Sequence, residues 1–287
     1  MFQGSYVALV TPFKDGAVDD EKLRELVESQ IKQGTNGILP CGCTGEAATL
    51  THEEQKRIIK IVVETVNKRV PVLAGTGSNS TAEAYDLTKY AKEAGANAAL
   101  VITPYYNKPT SEGQFRHYAK LAELGIPIIL YNVPSRTGIS MLPETVARLS
   151  KIDNIVAIKE ASGSLEQVSK ILALCDITVL SGDDSLTLPM MAIGGKGVVS
   201  VVANIVPAEV AQMTSASLEG NIQKAKDLHY KLFPLCKAMF IETNPIPVKT
   251  AMKLLGQLNG ELRLPLCEMQ AENEEKLKKV LEEYGLI

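Results

Sequence analysis

At 287 residues, with 45% hydrophobic and 22% charged residues, the chain has the make-up of an ordinary globular protein with one large core or two small ones. A net charge of −3 and a pI near 5.8 argue against nucleic acid or an anionic membrane surface as partners. Met1–Gly4 shows no basic region ahead of an apolar stretch, and five cysteines are an odd number, so reduced thiols in the cytoplasm are expected.

Eight short apolar runs follow one another, each punctuated by Gly or Pro. Tyr6–Val10 and Gly37–Pro40 open the series. Val70–Ala74, Ala98–Ile102, Ile126–Tyr131 and Ile155–Lys159 follow, and Ile177–Ser181 and Gly197–Val201 close it. Their length and β-branched content predict strands. Between them apolar residues recur at helical spacing, as in Leu23/Leu26/Val27/Ile31, Ile58/Ile59/Val62/Val63 and Leu87/Tyr90/Ala91/Ala94. Thr51–Glu54 and Ser80–Glu83 have the form of helix-opening capping boxes, and Gly34 and Gly95 mark helix ends. Eight β–α alternations predict a single (β/α)8 barrel over residues 1–206, with a doubly wound open sheet as the alternative. Residues 207–287 are surplus to the barrel and predict a C-terminal helical appendix, with helices at Gln223–Lys237, Val248–Leu255 and Asn273–Tyr284.

In such barrels the chemistry collects at the carboxyl ends of the strands. Here the second strand runs into Cys41-Gly42-Cys43-Thr44-Gly45-Glu46. The fourth runs into Tyr105-Tyr106-Asn107, the fifth into Tyr131 to Gly138, and the seventh into Ser181-Gly182-Asp183-Asp184. The sixth ends at Lys159, which strand alternation places on one face with Ile155 and Ala157, opposite Val156 and Ile158. If both faces are buried, desolvation lowers the amine's pKa and makes it a nucleophile fit to form a Schiff base with a carbonyl substrate. The plainer reading is a lysine whose amine snorkels to solvent at a strand tip.

The neighbouring residues carry the same duality. Gly42–Gly45 is a tight β–α turn or a backbone cradle for a substrate carboxylate. Tyr131 is barrel filler or, beside a Schiff-base lysine, a proton shuttle. Arg136 is a solvated loop charge or the receptor for a second carboxylate. Cys41 and Cys43 form a C-x-C with no second cysteine pair or nearby histidine. His52, His117 and His229 suggest no cluster, so no metal is expected.

Taken together, these motifs resemble the pyruvate-dependent class I aldolase/lyase family that includes N-acetylneuraminate lyase. The resemblance covers nearly the whole chain. It rests on Ala8–Phe13, the Gly-Cys-Thr-Gly-Glu loop, Tyr105-Tyr106-Asn107, Ile158-Lys159-Glu160, Ser181–Asp184 and Asn244–Lys249. Arg136, within Tyr131–Gly138, resembles the branch that condenses pyruvate with aspartate semialdehyde rather than the sugar-acid lyases. The resemblance implies Lys159 as the Schiff-base nucleophile and Tyr131 as the proton shuttle. It implies the Cys43–Thr44 loop on the pyruvate carboxylate, Arg136 on that of the semialdehyde, and Gly182 and Val199 in the same pocket. It also implies that Tyr106 enters a neighbouring subunit's site, in a dimer or a tetramer of paired dimers. No cofactor is implied, and the product is a precursor of lysine and diaminopimelate. A non-catalytic paralogue that keeps the pocket is the competing reading.

The sequence departs from the family in two places. Cys43 stands where relatives usually carry a threonine that links two tyrosines in a proton relay. A thiol is a poor hydrogen-bond partner, so a slower relay is expected, with a redox-sensitive brake as a second reading. A lysine-binding cleft of inhibited relatives is matched at His52, Asn79, Glu83 and Tyr105. Ala47 and Gln55 differ there from the usual serine and histidine, so weak or absent inhibition by lysine is expected.

Overall fold

Each of the eight apolar runs is a strand in the computed structural model, which describes residues 2–287. The strands are β1 (Gly4–Ala8), β2 (Gly37–Leu39), β3 (Leu73–Gly75), β4 (Ala98–Ile102), β5 (Ile128–Asn132), β6 (Ile155–Glu160), β7 (Thr178–Ser181) and β8 (Gly197–Ser200). All neighbours pair in parallel, in the order β2-β1-β8-β7-β6-β5-β4-β3. A bridge between Ile38 and Val72 joins the two ends and closes the barrel. That closure excludes the open doubly wound sheet.

The helices that return the chain are α1 (Asp20–Lys32), α2 (His52–Val66), α3 (Thr81–Ala94), α4 (Ser111–Ala122), α5 (Pro143–Leu149), α6 (Leu165–Leu174), α7 (Thr187–Ala192) and α8 (Pro207–Leu218). Three more follow: α9 (Ile222–Ala238), α10 (Ile246–Leu254) and α11 (Ala271–Tyr284). Val248, Ala251, Met252, Leu277 and Leu281 of these last helices share one apolar cluster with Val7, Ile58 and Val62. The appendix is therefore continuous with the outer layer of the barrel core.

Alternation along the strands sorts residues into two layers. Tyr6, Ala8, Leu39, Ile129, Tyr131, Leu180 and Val199 fill the barrel, while Ile128, Leu130 and Val179 face the helices. β6 departs from strict alternation. Ile128 pairs with Ile155, but Ile129 pairs with Ala157, so Val156 is an extra residue in a bulge. Ile155 consequently faces outward with Ile158, and Val156 packs against the interior cluster, the reverse of the expected assignment. Beyond the bulge the phase is restored. Ala157 points inward, and Lys159, two residues on, follows it.

Of the two expected capping boxes, only Thr51–Glu54 is complete. At α3, Ser80 accepts from the Glu83 amide, but the Glu83 carboxylate accepts from the Ser78 hydroxyl instead of closing the box. No helix among the described residues is long and apolar enough to cross a membrane.

Candidate active site

Tyr131 and Lys159 are next to last on adjacent strands and are direct register partners. Lys159 is only 7% exposed, and its Nζ lies 4.2 Å from the centroid of the Tyr131 ring. Nothing among the described residues accepts a hydrogen bond from this amine. Burial pushes its pKa from 10.5 to about 8, the Arg136 guanidinium adds to the effect, and the acidic groups of Cys43 and Asp184 oppose it. Space for the side chain comes from Gly182. A Cβ there would sit 3.0 Å from Lys159 Cε and 2.7 Å from Ala161 Cβ. The Tyr131 phenol is pushed well above its usual pKa, mainly by burial, so it stays protonated at neutral pH. Its hydroxyl lies 3.9 Å from Cys43 Sγ, a sulfur contact at the long end of hydrogen bonding.

The loop after β2 faces the same cavity. Cys41 and Glu46, at its two ends, both have left-handed backbones, with φ of 56° and 54°. Within it the amides of Cys43, Thr44 and Gly45 donate to no group among the described residues, although Thr44 and Gly45 are buried. Unpartnered amides at the edge of a cavity are available to donate to a ligand there, and a carboxylate is an acceptor suited to them. Asn244 donates through Nδ2 to Thr44 Oγ1 at 3.0 Å, leaving the Thr44 hydroxyl proton free to point elsewhere. Arg136, on a single helical turn at Pro134–Thr137, donates to the Asn244 carbonyl at 2.8 Å.

Lys159, Tyr131, Cys43, Thr44, Arg136 and Gly182 all line one cavity of about 660 Å³. Val199 does not line it. It lies in the interior cluster, and Val201 lines the cavity instead. Tyr106 is also outside it, 90% exposed and held in a left-handed backbone with φ of 68°. A second cleft, of about 550 Å³, shares Cys43, Tyr131 and Arg136 with the first and continues to His52, Glu83 and Tyr105. His52 Nε2 and Glu83 Oε2 are 3.9 Å apart there. Asn79 lies beside this cleft without lining it, its carbonyl accepting from Asn107. Gln55, at one of the two divergent positions, donates to the carbonyl of Ala47, the other, at 2.9 Å. No group of three His, Cys, Asp or Glu residues among the described residues could hold a metal.

Along its whole length the chain has close relatives. It matches the Dihydrodipicolinate synthetase family over residues 1–284. The chain belongs to that family. It is 61% identical to the 4-hydroxy-tetrahydrodipicolinate synthase of Geobacter sulfurreducens, with both chains covered in full. Among solved structures it is similar to dihydrodipicolinate synthase from Aquifex aeolicus, at 52% identity and a TM-score of 0.98 over 99% of each chain. It is also similar to the enzyme from Acinetobacter baumannii, solved in complex with pyruvate, at 46% identity and a TM-score of 0.97 over 100% of each chain.

Several residues that build this dihydrodipicolinate synthetase-family site had no role assigned from sequence. Asn244 bridges Thr44 and Arg136, and the sequence marked it only as part of the Asn244–Lys249 motif. Glu160 is fully buried and accepts from Asn132 Nδ2 at 3.0 and 3.1 Å, tying β5 to β6 one residue beyond the Tyr131–Lys159 pair. Asp184 accepts from the amides of Val201 and Val202 and so joins the loops after β7 and β8. Both carboxylates lie at or shortly beyond the end of a buried strand, Glu160 closing β6 and Asp184 standing three residues past β7.

Proposed function

We propose that the chain condenses pyruvate with L-aspartate 4-semialdehyde through a Schiff base at Lys159, giving 4-hydroxy-tetrahydrodipicolinate for lysine and diaminopimelate synthesis. The observation that carries this reading is the buried amine with no hydrogen-bond acceptor, its pKa near 8, facing a loop of unpartnered amides. At pH 7 about a tenth of such an amine is neutral, against about three in ten thousand for an unperturbed lysine.

The pyruvate carboxylate sits on the Cys43–Gly45 amides and the Thr44 hydroxyl, which brings its keto carbon to Lys159 Nζ. Attack gives a carbinolamine, and loss of water gives the imine, with Tyr131 supplying and recovering protons. Loss of a methyl proton turns the imine into an enamine. Its carbon attacks the semialdehyde's carbonyl, while Arg136 holds that substrate's carboxylate. The semialdehyde's amine then displaces Lys159, closing the ring and freeing the enzyme. Gly182 is required because any side chain there would occupy the space of Lys159.

The site is completed by a second copy of the chain. An aromatic side chain 90% exposed on a left-handed residue is poorly accounted for in an isolated subunit, and insertion of Tyr106 into a neighbour's cavity accounts for it. A tetramer built from two such dimers is the proposed assembly. The cytoplasm is the proposed compartment, supported by five cysteines without a disulfide. The cleft at His52, Glu83 and Tyr105 is proposed as a weak lysine site, because Gln55 spends its amide on Ala47.

The reaction is tested by incubating purified protein with pyruvate and either aspartate semialdehyde or a panel of sugar-acid aldehydes. Turnover of the semialdehyde at least about a hundredfold above the others is expected. Preference for a sugar-acid partner would reassign the acceptor.

A further inference from the structure

The function above uses the Gly42–Glu46 loop but leaves the late Asn244–Lys249 motif with only Asn244 employed. Lys249 and Glu46 form an ion pair, Nζ to Oε1 at 2.5 Å, with both side chains 0% exposed. Lys249 Nζ also donates to the Glu261 carbonyl at 2.6 Å, and the second Glu46 oxygen accepts from the Arg263 amide at 3.2 Å. The Phe13 ring lies against both Lys249 Nζ, at 4.3 Å from its centroid, and the Arg263 guanidinium, at 4.4 Å. Lys249 lines neither the Lys159 cavity nor the adjoining cleft, so it has no direct access to substrate.

A buried ion pair is weak evidence for stability, since apolar residues of similar volume often serve as well. What sets this one apart is its position. Glu46 is the left-handed residue that ends the loop of unpartnered amides. Such conformations persist only when the surroundings over-determine them. Here three ties do so: Thr11 Oγ1 to the Gly45 carbonyl at 2.7 Å, Asn244 to Thr44 at 3.0 Å, and Lys249 to Glu46.

We propose that Lys249 and Glu46 are positioning residues that hold the Cys43–Gly45 amides in carboxylate-binding geometry before pyruvate arrives. This rests on the reading that those amides take the pyruvate carboxylate. A preorganised loop need not be ordered on binding, so loosening it weakens pyruvate while leaving the aldehyde untouched.

The test reads pyruvate half-saturation from the yield of borohydride-trapped adduct in wild type, Thr44→Val, Lys249→Met and Glu46→Asp. The last keeps both charges but draws the carboxylate back by one methylene. A rise of about tenfold or more, equal to about 1.4 kcal/mol, is expected in all three variants. The KM for the aldehyde should stay within about twofold of wild type in the two pair variants. Wild-type half-saturation in a folded Lys249→Met or Glu46→Asp protein, with only a lower melting temperature, would overturn the proposal. An unchanged Thr44→Val would instead overturn the carboxylate reading beneath it. If neither pair variant folds, hydrogen exchange on the wild-type protein decides. The Glu46 and Ala47 amides donate to the Cys43 and Gly42 carbonyls within the loop; their protection without pyruvate is expected, and rapid exchange until pyruvate is added would refute preorganisation.

Discussion

Two lysines are buried among the described residues, and their surroundings differ in one respect. Lys249 meets a carboxylate and a carbonyl within 2.6 Å, so its charge is answered on the spot, although burial still lowers its pKa against the pull of Glu46. Lys159 meets the face of a phenol and has no acceptor, so burial acts on it with only distant opposition. In the proposed reading, pairing makes the first a structural tie, and its absence lets the second serve as the nucleophile. Burial alone does not make a lysine reactive; burial without a partner does.

The largest effect that could break this contrast is on turnover. Lys159→Ala should lose on the order of 10⁴-fold or more in kcat in a standard coupled assay, as removal of a covalent nucleophile does elsewhere.

Stability should move in opposite directions at the two sites. Lys249→Met leaves the Glu46 carboxylate buried without its ion-pair partner, and a loss of about 3–5 kcal/mol is expected by denaturant titration. The double variant Glu46→Gln/Lys249→Met should recover most of it. Lys159→Met removes an unpaired ammonium, and at pH 7 it should raise the melting temperature, by up to about 3 kcal/mol in stability. The folded pKa near 8 lies below the unfolded value of 10.5. Between those limits the unfolded chain binds more protons, so wild-type stability rises with pH and the advantage of Lys159→Met shrinks. An advantage that stayed constant from pH 7 to pH 10.5 would contradict the assignment. The same titration predicts that kcat/KM for pyruvate climbs to a plateau above about pH 8.

Smaller effects test the partner of Tyr131. With a thiol 3.9 Å from the phenol, Cys43→Thr should raise kcat by about two- to tenfold, the worth of one ordinary hydrogen bond. Equal turnover in the two proteins would remove Cys43 from the proton path. The smallest change is expected on adding millimolar lysine, where near-complete inhibition would show that the Ala47–Gln55 cleft binds the effector well after all.

Much of this was legible in the sequence because strands and their ends are local features. All eight runs are strands, and Lys159 follows Ala157 into the barrel as its place at the end of an apolar run implied. Ile155 was misassigned because a bulge depends on pairing with the neighbouring strand, which periodicity within one strand does not register. Asn244 and Lys249 were legible only as a resemblance, since their partners Thr44 and Glu46 lie 200 and 203 residues away along the chain. Gly182 illustrates the same limit: a glycine's reason is the side chain it makes room for, and that is visible only in three dimensions.

The account is tested most directly by reducing the protein with borohydride in the presence of pyruvate and mapping the adduct by peptide mass spectrometry. A single pyruvate-derived modification on Lys159, absent from Lys249 and lost in Lys159→Ala, is predicted. No adduct, or an adduct that survives the substitution, would contradict the claim that the unpartnered buried amine is the nucleophile.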